Sequence, residues 1–352
     1  MRREKERIVI LAESFPSKSR PNYNGGIEVA LYDLAKKLLE NGNIVKIIAA
    51  KNSKDDTETF GDIEIIRVDQ LAKAIHANIS RVFEILIYQL KLYKVIKNQK
   101  ANTIIAGNHT LYPIAQIIKF FNHKMNIKLY VADILGYDWI KYFHFAGIFG
   151  YIVEKLTLLN KWAQFITISE SSRQKLIKSG IPEKMIKIIR PKNQALTVKG
   201  YDKKSKIPRQ ILMVGRLVNY KNVDIGIKIF SDLKVKTTKQ LSLIIIGDGP
   251  ERDNLRKLIN NLSQSQSIKI LSNVSNAELE KYYQSSSVFL HLSKIEGYGL
   301  AVREALSYGC TTIVLKLPVF EELENPTNQD FFAGNNESEI HNLLVKVLNA
   351  KS

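Results

Sequence analysis

Ser287-Val288-Phe289-Leu290-His291-Leu292, followed by Glu296-Gly297-Tyr298-Gly299-Leu300-Ala301-Val302-Arg303-Glu304, is the stretch that decides the fold. The first six residues form a short apolar run of strand type. Arg303-Glu304-Ala305-Leu306-Ser307-Tyr308 reads as a helix that stops at Gly309. Strand, tight glycine turn and helix in that order predict backbone N–H groups aimed outward at a helix N-terminus, a natural seat for phosphate. Glu296 falls on the loop and Glu304 a turn or two into the helix. Carboxylates beside a phosphate seat are poor anion ligands but good acceptors for sugar hydroxyls. A ligand with both phosphates and hydroxyls, a nucleotide sugar, fits both halves.

Working outward, the same alternation of apolar runs and amphipathic segments fills the chain. Arg7-Ile8-Val9-Ile10-Leu11-Ala12 predicts a buried strand, residues 28–40 a helix ended by Gly42, and residues 44–49 the next strand. Residues 103–106, 128–131 and 165–168 continue the series. After a polar, proline-containing stretch near 190–208 it restarts at 210–214, 243–246, 268–271, 287–292 and 312–315. Strands apolar on both faces and separated by helices predict parallel sheets covered by helices. The expected architecture is α/β: two tandem doubly wound, Rossmann-like domains facing a central cleft. The boundaries read as 1–192 for the first domain, 193–208 for a linker, 209–335 for the second domain and 336–352 for a C-terminal helix. Ligands of such sheets bind at the carboxyl ends of the strands, which places the site at the cleft.

A chain of 352 residues suits two domains, and 45% hydrophobic content is ample for sizeable cores. One cysteine, Cys310, excludes an internal disulfide framework and a cysteine-based zinc cluster. The apolar part of the N-terminal segment, residues 8–12, is too short for a signal peptide or a membrane span. A cytoplasmic protein is expected, peripheral on the membrane if attached at all. The net charge of +18 suggests an anionic partner, and a solvated lysine-rich surface is the plain alternative.

In the second half, Gly215-Arg216-Leu217 follows a strand, and Lys221-Asn222 opens a helix. Arg216 offers a planar fork and Lys221 a point charge for a diphosphate. Gly247-Asp248-Gly249-Pro250 is a tight turn after another strand, and Asn273-Val274-Ser275-Asn276 precedes a further helix. These elements in this order resemble the nucleotide-binding half of retaining GT-B glycosyltransferases of glycosyltransferase family 4, with Glu296 to Glu304 as the family's E-x7-E motif. Asn24-Gly25-Gly26-Ile27-Glu28 resembles its glycine-rich loop after the first strand, and Thr167-Ile168-Ser169-Glu170-Ser171 its strand-end serine segment. The resemblance covers nearly the whole chain.

It implies that Arg216 and Lys221 hold and stabilise the departing diphosphate, with Glu296 on a hydroxyl of the transferred sugar. Backbone groups near Gly215, Asp248, Tyr298, Gly299 and Leu300 touch the donor. Glu304 takes the ribose, the segment around Val274 lies beside the base, and Gly26 approaches the phosphates. No cofactor is implied, since the nucleotide-diphosphate sugar is a substrate, and no metal, since Asp55-Asp56 reads as solvated surface. Two departures stand out. Ala132 occupies the place of a first-domain histidine, which leaves His109, Asp133 and Asp138 as acceptor or sugar ligands. Ile189-Arg190-Pro191-Lys192-Asn193 replaces a Pro-Asn-Gly turn.

Residues 73–100 predict a long amphipathic helix with lysines that suit either an anionic bilayer or plain solvent. Tyr137, Trp139, Tyr142, Phe143, Phe145 and Phe149 form an aromatic segment suited to an acceptor pocket, a membrane interface or a core. The expected activity is transfer of a sugar to a hydroxyl acceptor, either lipid-linked or a polysaccharide or glycan precursor. A nucleotide-sugar epimerase and a catalytically silent sugar-nucleotide-binding module are the competing readings. Nucleic acid is an unlikely partner, for no dedicated motif is present.

Overall fold

The computed structural model describes residues 5–18, 25–51, 55–69, 79–160, 162–192, 206–235, 240–323 and 331–350, with side chains at 79–86 and 144–146 excepted. The chain divides into two compact units, Met1–Lys192 and Asn193–Ser352. Residues 193–205, most of the expected linker, lie outside the described residues, as do 73–78 of the expected basic helix and Asn24 of the glycine-rich loop.

The first unit runs β1 (Arg7–Ala12), α1 (Gly26–Glu40), β2 (Ile44–Ala50), β3 (Thr57–Phe60), β4 (Ile63–Val68), α2 (Ile79–Asn98), β5 (Thr103–Ala106), α3 (Tyr112–Phe121), β6 (Asn126–Tyr130), α4 (Asp138–Leu158), β7 (Gln164–Thr167), α5 (Glu170–Lys178) and β8 (Ile186–Ile188). Its eight strands are ordered β3-β4-β2-β1-β5-β6-β7-β8. All pairs are parallel except β3 with β4, a hairpin that the all-parallel expectation lacked. That edge is held by a buried ion pair, in which Arg67 on β4 donates to Glu58 on β3 at 2.7 Å and also caps the Phe15 and Ala50 carbonyls. The charge is tolerated because the guanidinium is paired with a carboxylate and bonded to backbone carbonyls as well.

The second unit runs β9 (Ile207–Val214), α6 (Val223–Val235), β10 (Ser242–Ile246), α7 (Arg252–Asn261), β11 (Ile268–Leu271), α8 (Asn276–Ser285), β12 (Ser286–His291), α9 (Leu300–Ser307), β13 (Thr311–Leu315), α10 (Pro318–Glu321), β14 (Phe331–Gly334) and α11 (Glu337–Ala350). Its sheet is six-stranded, ordered β11-β10-β9-β12-β13-β14. Strand β10 shows why these runs are apolar throughout. Leu243 and Ile245 enter the core on one face, and Ile244 and Ile246 enter the core on the other. Each such side chain contributes about 1.5–3 kcal/mol by burial.

Two boundaries are corrected. The sequence sets 336–352 apart as a terminal helix, but Ile340, Leu344, Val347 and Leu348 of α11 are buried in the same core as β9, β10 and α6. The helix is thus part of the unit. Strand β9 begins at Ile207, inside the stretch expected to be linker.

Candidate functional site

Strands β9 and β12 are parallel neighbours, with Phe289 beside Leu212. Their carboxyl ends therefore open on the same edge of the second sheet. After β9 the chain passes through Gly215 and Arg216 to a single 3-10 turn, Asn219–Lys221. Asn222 then takes a left-handed conformation (φ 51°), and its side-chain amide donates to the Leu292 carbonyl at 3.0 Å. The Lys294 amide donates to the Tyr220 carbonyl at 2.8 Å. These two bonds fasten the loop after β9 to the loop after β12. Gly215, Arg216, Lys221 and His291 line one pocket between them.

Glu296, on the loop after β12, meets two of these residues. Its Oε2 accepts from Lys221 Nζ at 2.6 Å and lies 3.1 Å from His291 Nε2, while its Oε1 accepts from the Gly299 amide at 3.3 Å. A carboxylate only accepts, so His291 carries its proton on Nε2. Burial alone would raise the Glu296 carboxyl, but Lys221 and His291 hold it well below the usual carboxylate range. Burial pushes the His291 imidazole down, an effect that Glu296 opposes and Lys221 reinforces. The cluster is therefore a lysine cation, a carboxylate anion and a neutral imidazole. The Arg216 side chain is exposed and, among the described residues, has no hydrogen-bonding or ionic partner. It remains available to an anion.

Gly299 caps α9 with φ 71°, and a Cβ there would meet the Phe320 ring at 2.5 Å, so glycine is required. Leu300 opens α9, and Tyr298 is buried, its ring 4.1 Å from the Arg303 guanidinium. On α9, Glu304 Oε2 accepts from the buried Tyr283 hydroxyl at 2.9 Å. Burial pushes its carboxyl up to about 7, with the Tyr283 bond opposing. Glu304 Oε1 has no hydrogen-bond partner among the described residues.

The turn at 247–250 packs against the loop after β9. A Cβ on Gly247 would fall 1.9 Å from the Gly215 carbonyl oxygen, and one on Gly249 would fall 2.3 Å from that of Leu217. The glycines let the loops after β9 and β10 pack against each other, sealed by the Leu217 amide donating to the Asp248 carbonyl at 2.9 Å. The Asp248 carboxylate is spent locally, on the Gly249 amide at 2.9 Å and Arg252 at 3.7 Å. Val274 is half-buried against the core, before a capping box in which Ser275 and Glu278 close the start of α8.

In the first unit, Gly26 opens α1 and is exposed, following Gly25. Asp133 is buried and salt-bridged to Lys175 at 2.6 Å. Asp138 starts α4. His109, just beyond β5, lies 3.5 Å from Glu154, a carboxylate absent from the sequence-based expectations. Glu154 accepts from the Leu135 and Gly136 amides (3.0 and 2.7 Å) and the Trp139 indole N–H (3.0 Å). Burial pushes its carboxyl up, but His109 and these donors outweigh that and hold it below the usual range. His291, Tyr283 and Asn222 were also missed. Only His291 carried a signal, as the one ionisable group in an apolar run. Among the described residues no cluster of three or more His, Cys, Asp or Glu side chains is placed to hold a metal ion.

The glycosyl transferases group 1 family matches residues 199–351, and Glycosyltransferase Family 4 matches residues 24–191. An alpha-monoglucosyldiacylglycerol synthase of Acholeplasma laidlawii is 33% identical over 133 residues, 38% of this chain and 33% of that protein. The match thus spans about a third of that relative's length. An uncharacterized glycosyltransferase of Haemophilus influenzae is 24% identical over 321 residues, 90% of this chain and 84% of that protein. Among solved structures, Anabaena HepE in complex with UDP and glucose superposes with a TM-score of 0.71 at 18% identity, covering 97% of this chain and 89% of that one.

Proposed function

The chain belongs to the GT-B glycosyltransferases of the group 1 and family 4 type, and on that premise we propose that it moves a sugar, with retention, from a nucleotide-diphosphate sugar to a hydroxyl acceptor. The observation that carries this reading is the convergence of Arg216 and Lys221 on one pocket at the carboxyl ends of β9 and β12, with Glu296 joining Lys221 to the Gly299 amide at the start of α9. Two cations and a helix N-terminus supply positive potential where charge grows on a departing diphosphate. Lys221 keeps donor capacity after its bond to Glu296, because an ammonium has three N–H groups.

In the proposed reaction the bond from the sugar's anomeric carbon to the β-phosphate oxygen breaks, and its electron pair leaves with the diphosphate. The acceptor oxygen bonds to the same face of that carbon. Its proton passes to an oxygen of the leaving phosphate. Glu296 orients a sugar hydroxyl and anchors Lys221, and Glu304 takes the ribose through its open Oε1. No further cofactor or metal enters this reading. UDP is the nucleotide to try first, in view of the HepE complex. A lipid-linked or glycan-precursor acceptor at a membrane surface is supported by the relative named for a glucosyldiacylglycerol.

Glu296→Ala tests the reading. It strands Lys221 and His291 without their shared acceptor and should lower turnover of the donor sugar by about 10²-fold or more. An unchanged rate in a steady-state assay of nucleotide release would refute the assignment. The variant should also lose about 1–3 kcal/mol in denaturant melts, since both partners are largely buried.

A further inference from the structure

We propose that the outward faces of α3 and α4, together with the lysines of α2, form a docking surface for an anionic lipid bilayer. The proposal deepens the reading of a membrane-borne acceptor and rests on it for its purpose; the observations that carry it are independent of the donor site. A surface helix normally buries one apolar stripe and gives water a polar one. Helices α3 and α4 do not. On α3, Tyr112, Ile114, Ala115 and Ile118 face the core, yet Phe120 and Phe121 are 72% and 70% exposed. On α4, Val153 and Thr157 face inward, while Ile148, Phe149, Ile152 and Leu156 form an outward stripe at helical spacing, each 43% to 54% exposed.

The helices are neighbours. Gln116 of α3 donates to Thr157 of α4 at 3.4 Å, and the Phe121 ring lies 6.1 Å from Tyr93 of α2. The exposed apolar groups therefore stand on adjacent helices of the same unit. Charge identifies the partner. Residues 87–98 of α2 carry Lys91, Lys94 and Lys97 and no acid, and α3 carries no acid. On α4, Glu154 is buried, leaving Asp138 in the first turn as the remaining acid. Lys141 and Lys155 lie over the Tyr142 and Tyr151 rings at 5.3 and 5.5 Å, ammonium beside aromatic, as suits a headgroup boundary. A second copy of the same basic face would be repelled, whereas anionic headgroups complement it. Among the described residues no helix is long and apolar enough to cross a membrane, so the contact lies along the surface.

The test is flotation of the full chain with vesicles of phosphatidylcholine alone or with about 30% phosphatidylglycerol. The chain should bind the anionic vesicles and less the neutral ones, and weaken as salt rises. Phe120→Ser with Ile152→Ser and Leu156→Ser should cut partitioning by at least about tenfold. Since all three are exposed, circular dichroism and the melting curve should be unchanged, as should hydrolysis of the donor sugar in solution. Wild-type-like partitioning of the triple variant, or no binding by the wild type, overturns the proposal whatever the enzyme does. A wild-type dimer that the same substitutions dissociate, without vesicle binding, overturns it in favour of a contact between copies. Loss of turnover by Glu296→Ala is scored separately, so the enzymatic reading and the docking surface can fail independently.

Discussion

Lys221 Nζ and His291 Nε2 both face a single oxygen of Glu296, whereas Glu304 has one tyrosine hydroxyl and an open second oxygen. Eight positions apart in sequence, the two glutamates look interchangeable. In the fold, the first is held ionised by a cation, and the second is pushed up to about 7 by burial. The difference was not legible in the motif, because it comes from Lys221, 75 residues upstream, and from the burial of Glu304, which its bond to Tyr283 only partly offsets. The presence of a carboxylate pair at a phosphate seat was legible; the partners were not. The pH behaviour follows from the sign of the Glu304 shift. A folded-state value above the ordinary 4.5 means that the folded chain holds an extra proton between about 4.5 and about 7. That group's contribution to stability is therefore fully present below the window and is lost as pH rises through it. Hydroxyl recognition runs the other way, since the ionised carboxylate is the better acceptor. The KM for the donor sugar should fall several-fold between about pH 6 and pH 8, and Glu304→Gln should flatten that slope while reducing the loss of stability. A wild-type-like slope in the Gln variant would assign the titration elsewhere.

At the scale of elements, most helices and strands followed from periodicity, because a strand covered on both faces must be apolar at every position. The hairpin of β3 and β4 escaped that test. Thr57-Glu58-Thr59-Phe60 carries little apolar signal, and its pairing depends on Arg67 reaching Glu58 across the strands. Helix α11 was recognised as a helix but misplaced as an appendage, for amphipathicity shows that a face is buried without naming its partner. The turn at 247–250 was legible as a turn, but the loop that its glycines pack against was not. Its glycines serve loop against loop, and that geometry makes a prediction. Gly247→Ala places a methyl 1.9 Å from the Gly215 carbonyl oxygen, backbone that cannot rotate away as a side chain would. The loop after β9 must shift, at a cost of about 1–3 kcal/mol. Arg216 and Lys221 ride on that loop, so donor affinity should fall together with stability. Isothermal titration with UDP alongside chemical denaturation checks this, and a destabilised variant with unchanged affinity would show that the loop's position is fixed by Asn222 alone.

Among the described residues, the hydrophobic clusters of the two units share no residues. The core of the first unit draws on side chains from Val9 to Ile181, and the two cores of the second draw on side chains from Ile211 to Leu348. Units with separate cores unfold as separate cooperative blocks unless strongly coupled. Calorimetry should therefore resolve two transitions. Gly247→Ala lies wholly in the second unit and identifies its transition as the one that it lowers. UDP at about a hundred times its Kd stabilises whatever binds it by about 2.7 kcal/mol. For a block of this size that is a rise of about 5–10 °C. If the pocket around Arg216, Lys221 and His291 holds the nucleotide by itself, UDP raises only the transition that Gly247→Ala lowers. If Gly26 reaches the phosphates as the family resemblance implies, both transitions rise together, and Gly26→Val should confine the shift to the second. A rise in the first transition alone would contradict the donor site assigned to β9, β12 and α9, however well its residues are arranged.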